Sequence, residues 1–113
     1  MKHRFFMSQH NDEVRMRHML DYSREALELS RDRTREDLHT DRVMELALVR
    51  LIEIIGEAAS RVSEESREAN PEIPWSQIVS LRNRLIHGYD SVDLDILWEI
   101  LQADLPDLIS KLD

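Results

Sequence analysis

The sequence predicts an all-α fold, a four-helix, bundle-like domain, and three observations carry that reading. Apolar residues recur at three- and four-residue steps along most of the chain. Only 2 Gly and 3 Pro punctuate its 113 residues, too few for the many turns of a sandwich or barrel. The composition, 42% hydrophobic against 34% charged, is that of a folded domain rather than a disordered tail. The length supports one core. Residues 1–10 carry no period and are expected to form a flexible leader, with residues 11–113 as a single helical domain.

Composition also narrows the chemistry. With 0 Cys there is no disulfide scaffold, no thiolate zinc site and no cysteine nucleophile. No apolar run approaches the roughly 20 residues that span a bilayer, and no signal peptide is recognisable, so a cytoplasmic protein without a membrane partner is expected. Acidic residues outnumber basic ones 23 to 15, for a net charge of −8. A wide basic surface for nucleic acid is therefore excluded, and contact with phosphate has to be local.

Asn11 or Asp12 offers an N-cap oxygen, and Met16, Met19, Leu20, Ser23, Ala26 and Leu27 then mark one amphipathic helix to about Ser30. Arg31 to Thr40 is charged and unpatterned, and reads as a connecting loop. A second helix is expected from Asp41 to about Glu68. Its residues Val43, Met44, Leu46, Leu48, Leu51, Ile52, Ile54, Ile55, Ala58 and Val62 cover more than half its circumference. So apolar a helix needs more than one neighbour, which points to a subunit interface. Its polar stripe is Arg50, Glu53, Glu57 and Arg61: either a self-paired row or a carboxylate supply for a charge elsewhere.

Asn70-Pro71 stops that helix, and Pro74 suits the first turn of a third, which carries Trp75, Ile78, Leu81, Leu85 and Ile86 and ends at Gly88. Leu94, Leu97, Trp98, Leu101, Leu105, Leu108 and Leu112 set a fourth helix, bent near Pro106, with Trp98 in the core.

The chemistry concentrates between Leu81 and Asp90. On a continuous helix with Ile78 as origin, Arg82 falls at about 40°, inside the apolar arc, whereas Arg84 points away. An arginine so placed needs a buried carboxylate or an anion, and Glu53 or Glu57 is the expected partner. His87 falls in the last turn, where a helix C-terminus favours a protonated ring. His87 with Arg82, Arg84 and Asn83 is an inventory for phosphodiester chemistry. Spacing alone favours a plainer reading, a histidine that merely ends a helix, with Tyr89 packed beneath it. The other histidines show no metal-ligand spacing, so no metal site is expected.

Arg82, His87 and Tyr89 match the R-x-x-x-x-H-x-Y signature of the HepT-like branch of the HEPN superfamily. Glu72-Ile-Pro-Trp75 before it, Val92-Asp93 after it and Leu48 to Ala59 upstream resemble that family too, so the likeness covers roughly residues 11–112. The resemblance implies an all-helical domain that forms a symmetric homodimer, with the two motifs facing one another in a shared cleft. It implies a metal- and cofactor-independent endoribonuclease, the toxin of a type VII-like toxin–antitoxin module. The antitoxin partner would be a minimal nucleotidyltransferase that silences the toxin by moving AMP onto a tyrosine. Carried over by position, Arg82 and His87 are the catalytic pair and Tyr89 accepts AMP. Asn83, Arg84, Glu53 and Glu57 are supporting residues. Two other readings stay open: a non-catalytic helical dimer that is partner and substrate of a nucleotidyltransferase, and a nucleotide-binding regulator using the same cleft.

Overall fold

A computed structural model describes the backbone of residues 2–113 and the side chains of residues 11–113. The helices are α1 (Lys2–Leu29), α2 (Arg35–Thr40), α3 (Arg42–Ser60), α4 (Glu64–Ala69), α5 (Trp75–Val79) and α6 (Leu81–Leu85). Next comes a hairpin of β1 (Ile86–His87) and β2 (Ser91–Val92), paired antiparallel with Ile86 opposite Val92 and His87 opposite Ser91. Helix α7 (Leu94–Glu99), a π-helical turn (Ile100–Asp104) and α8 (Leu105–Leu112) complete the chain. The fold is all-α, and this hairpin is the one sheet among the described residues. No helix among them is long and apolar enough to cross a membrane. The leader expected over residues 1–10 lies outside the described side chains.

Four helical stretches share one core. α1 lies along α3 and α8, while α3 packs on its other side against α5 and α6. Met19, Leu48, Ile52, Ile55, Ile78, Leu81, Leu85, Leu97, Ile100, Leu105 and Leu108 are buried in it, which matches the apolar stripes in the sequence. Trp98 is half-buried against this core. Not all of α3 is covered. Val43 is 78% and Leu46 51% exposed.

Gly56 fixes how closely α3 approaches α5. A Cβ there would lie 3.2 Å from the Ile78 carbonyl and 3.7 Å from that of Val79. This contact sets Glu53, Glu57 and Ser60 beside the segment that carries Arg82.

Several elements depart from the sequence reading, each for a local reason. The stretch expected as a loop from Arg31 to Thr40 contains α2. Its Thr34 hydroxyl accepts from the Asp37 amide, the Asp37 carboxylate accepts from the Thr34 amide, and Leu38 is buried. The second helix starts where expected, with Asp41 accepting from the Met44 amide, but it ends at Ser60 instead of Glu68. Ser63 then caps the separate α4. The third helix breaks at Ser80 and stops at Leu85, and Gly88, with φ of 75°, serves the hairpin loop rather than a helix end. Near Pro106, where a bend is expected, the chain passes through the π-helical turn. It precedes a proline in the first turn of α8, where the missing N–H would otherwise interrupt the ladder.

Asp12, expected to cap α1, lies inside it and reaches across the fold. Its carboxylate accepts from the Ser63 amide at 3.0 Å and from the hydroxyls of Ser63 and Ser66. The side chain is 2% exposed, so these bonds tie α1 to the start of α4 away from water. Burial alone would raise its pKa, but the Ser63 and Ser66 bonds outweigh it and hold the carboxyl below its usual value. A lowered folded-state pKa adds stability above the unfolded value that is lost as pH falls through the folded one. Asp12→Ala is expected to cost about 1–3 kcal/mol at pH 7, a deficit that narrows below about pH 4, as urea titrations at the two pH values would show.

At Gly56 two effects compete. Alanine gains about 1 kcal/mol of helix propensity against a tight carbonyl contact, so Gly56→Ala is expected to melt near the wild-type temperature. Gly56→Val forces α3 and α5 apart and should cost about 1–3 kcal/mol in a thermal melt.

Candidate active site

The break at Ser80 resets the helical phase before the motif. Leu81 and Leu85 are buried, so α6 turns Arg82 and Asn83 outward and Arg84 inward. The apolar-face position expected for Arg82 is therefore wrong: its side chain is 52% exposed. Its guanidinium does meet a carboxylate, with Nε donating to Glu53 at 3.0 Å. Glu57, the other expected partner, accepts instead from Arg61 at 2.9 Å. Arg84, expected to point away, is the inward one and pairs with Asp104 beside the π-helical turn.

Arg82 and Asn83 line a cleft of about 370 Å³ with Arg50, Glu53, Gly56, Glu57, Ser60, Arg61 and Val79. The stripe on α3 is thus one wall and α6 the other. Arg50 has no ion-pair partner among the described residues. Three arginines against two carboxylates make the cleft locally cationic in an acidic chain. An exposed ion pair is worth only about 0–1 kcal/mol, so an entering anion exchanges easily with Glu53 for Arg82.

His87 and Tyr89 stand beyond the cleft lining, on the hairpin after α6. Since α6 ends at Leu85, His87 occupies a strand and the helix-end argument for its ring does not apply. Ile86 and Val92 are half-buried against the core, and the Asp93 amide donates to the Leu85 carbonyl at 2.9 Å, which closes the hairpin base. His87 is left 63% exposed, and its Nε2 faces the Asp93 carboxylate at 3.5 Å. Asp93 Oδ1 accepts from the Asp95 and Ile96 amides and caps α7. The Ile96 amide is the largest influence holding this carboxyl below its usual value, opposed by burial and reinforced by His87. Tyr89, at the loop tip, is 92% exposed, so the alternative in which it packs beneath a helix end fails.

The structure thus gathers Arg82, Asn83, Glu53 and Glu57 at the cleft, puts His87 and Tyr89 on the adjoining hairpin, and turns Arg84 away. Sequence reasoning missed two partners, Asp93 for His87 and Asp104 for Arg84. Asp93 carried a signal, an aspartate just before an apolar helical period. Asp104 carried none, because the π-helical turn sets its direction.

The family model "Ribonuclease HepT-like" matches residues 19–113. A probable ribonuclease HepT of Thermococcus cleftensis is 38% identical over 91 residues, 77% of this chain and 83% of that relative. A candidate RNase of Methanocaldococcus jannaschii is 34% identical over 88 residues, 78% of this chain and 81% of its own. Another from Caldanaerobacter subterraneus subsp. tengcongensis is 41% identical over 73 residues, 65% of each chain. No solved structure matches significantly. A family match over residues 19–113, with the arginine, histidine and tyrosine of the signature at Arg82, His87 and Tyr89, means that this chain belongs to the HepT-like ribonuclease family.

Proposed function

We propose that this chain is an endoribonuclease acting as the toxin of a toxin–antitoxin pair, and that it works as a symmetric dimer. The observation that carries the reading is the setting of Arg82: a half-exposed guanidinium at the edge of an open cleft, held only by Glu53 at 3.0 Å. A backbone phosphate entering the cleft would take Arg82 from Glu53, and Asn83 would donate to the same group. The ribose 2′-oxygen bonds to phosphorus while the bond to the 5′-oxygen breaks. The 2′ proton passes to the His87 ring of one protomer and the leaving 5′-oxygen takes a proton from the protonated His87 of the other, while Arg82 stabilises the charge gathered on the phosphoryl oxygens. The nucleophile belongs to the substrate, so DNA is not cut.

The dimer reading rests on α3. Val43 and Leu46 leave apolar surface open at the helical steps that lead on to Arg50, Ile54 and Glu57. Packing two such faces about a two-fold axis would bring both Arg82 and His87 sets to one groove and double the cationic charge there. Light scattering at low micromolar concentration should give about 27 kDa, twice the 13.4 kDa chain; a stable monomer would contradict a composite site.

Silencing would act at Tyr89. At 92% exposure on a loop tip, its ring is open to a nucleotidyltransferase. Transfer of AMP from ATP makes a phosphodiester to the phenol oxygen and releases pyrophosphate. The added phosphate and adenosine would occupy the cleft mouth and compete for Arg82. Arg84, pinned to Asp104, is not available for that.

Induced expression separates this reading from a non-catalytic partner. Wild type should arrest growth and His87→Ala should not; harmless wild type favours a chain that only presents Tyr89. With a cognate nucleotidyltransferase and ATP, intact-mass spectrometry should show AMP-sized additions on wild type and none on Tyr89→Phe, which should still arrest growth. Addition at Tyr22 would rule the switch out.

A further inference from the structure

We propose that Asp93 is a positioning residue, one that holds the His87 ring by Nε2 and leaves Nδ1 as the nitrogen that exchanges a proton with RNA. The inference rests on the nuclease reading and adds to it a residue that acts through another.

Asp93 is the most constrained group near the motif. Its amide donates to the Leu85 carbonyl and its carbonyl accepts from the Leu97 amide, each at 2.9 Å. Its Oδ1 accepts from the Asp95 and Ile96 amides at 3.1 Å each. Two backbone bonds and two to Oδ1 thus fix the residue relative to both the hairpin base and α7, and Oδ2 is left to look outward. That oxygen faces His87 Nε2 at 3.5 Å.

His87 has the opposite character. Its ring is 63% exposed, on a two-residue strand, and nothing else among the described residues pairs with it. An imidazole that free would sample both tautomers and several rotamers, and a proton carrier must present one nitrogen at one place. A carboxylate at Nε2 favours the tautomer with the proton there and puts the lone pair on Nδ1. The neighbouring Asp95 does not compete for the ring, because Arg35 of α2 donates to its carboxylate at 2.8 Å. The second role of Asp93, as the cap of α7, explains how a surface carboxylate is kept in one rotamer.

Two substitutions separate the roles. Serine caps a helix as well as aspartate but is too short to reach His87; glutamate keeps a carboxylate in reach and caps poorly. Asp93→Ser should melt within a few degrees of wild type yet lose about 10- to 100-fold in kcat on RNA, with KM changed less than about twofold. Asp93→Glu should lose more thermal stability and keep more kcat. If Asp93 were only a cap, the order of the two variants in kcat would track their melting temperatures, and that result would overturn the proposal.

A second readout does not depend on RNA cleavage. In wild type the two ring nitrogens of neutral His87 should show widely separated ¹⁵N shifts, one protonated and one bare. Asp93→Ser should draw them together as tautomers mix. Equal separation in both proteins would overturn the positioning role. A narrowed separation in the variant, with no RNA cleaved by wild type, would support the contact and defeat the nuclease reading alone.

Discussion

The close crossing of α3 over α5 at Gly56 governs the placement of the site and of the exposed apolar surface, because a Cβ there would already lie 3.2 Å from the Ile78 carbonyl and a larger side chain would push the helices apart. From that contact the inner face of α3 is committed to the core, where Leu48, Ile52 and Ile55 are buried. Its flank then has to lie beside α6, so Glu53 meets Arg82 and a cleft opens between the helices. The same rotation turns Val43 and Leu46 to solvent, which is why the helix with the largest apolar surface is both the centre of the core and the edge of the proposed dimer. Packing, site and assembly share one helix, and its orientation is not free.

Much of this was legible in the sequence because burial obeys periodicity. The stripes Met19–Ala26, Leu48–Ala59 and Leu97–Leu108 face inward as their spacing requires. The pairing of Arg82 with Glu53 was expected, but from the wrong premise, a buried Arg82, whereas its side chain is half-exposed. What failed was phase. Treating Ile78 to His87 as one continuous helix placed Arg82 inward and Arg84 outward. A single residue, Ser80, separates α5 from α6 and reverses the two. Local propensity does not show such a break, because Ser80 makes no side-chain cap bond that would mark it.

The hairpin was missed for a different reason. Three loop residues containing Gly88 between Ile86-His87 and Ser91-Val92 are a hairpin signal, but two-residue strands fall below the length at which alternation can be seen. Ending the helix at Leu85 matters for the chemistry. It lifts His87 and Tyr89 off the helix surface onto a loop-bearing ribbon, where both side chains are exposed. The acidic body of the chain fits this arrangement. In the proposed nuclease it would confine RNA contact to the groove lined by Arg50, Arg61 and Arg82.

The proposed chemistry, in which Arg82 and His87 cut RNA by way of its own 2′-hydroxyl, has a direct test. The direct measurement is to incubate the purified protein with cellular RNA in the presence of a chelator and to identify the chemistry of the new ends. The account predicts 2′,3′-cyclic phosphate and 5′-hydroxyl ends, generated by wild type and absent with Arg82→Ala or His87→Ala. Cleavage that leaves 5′-phosphate ends, or that both variants retain, would contradict it.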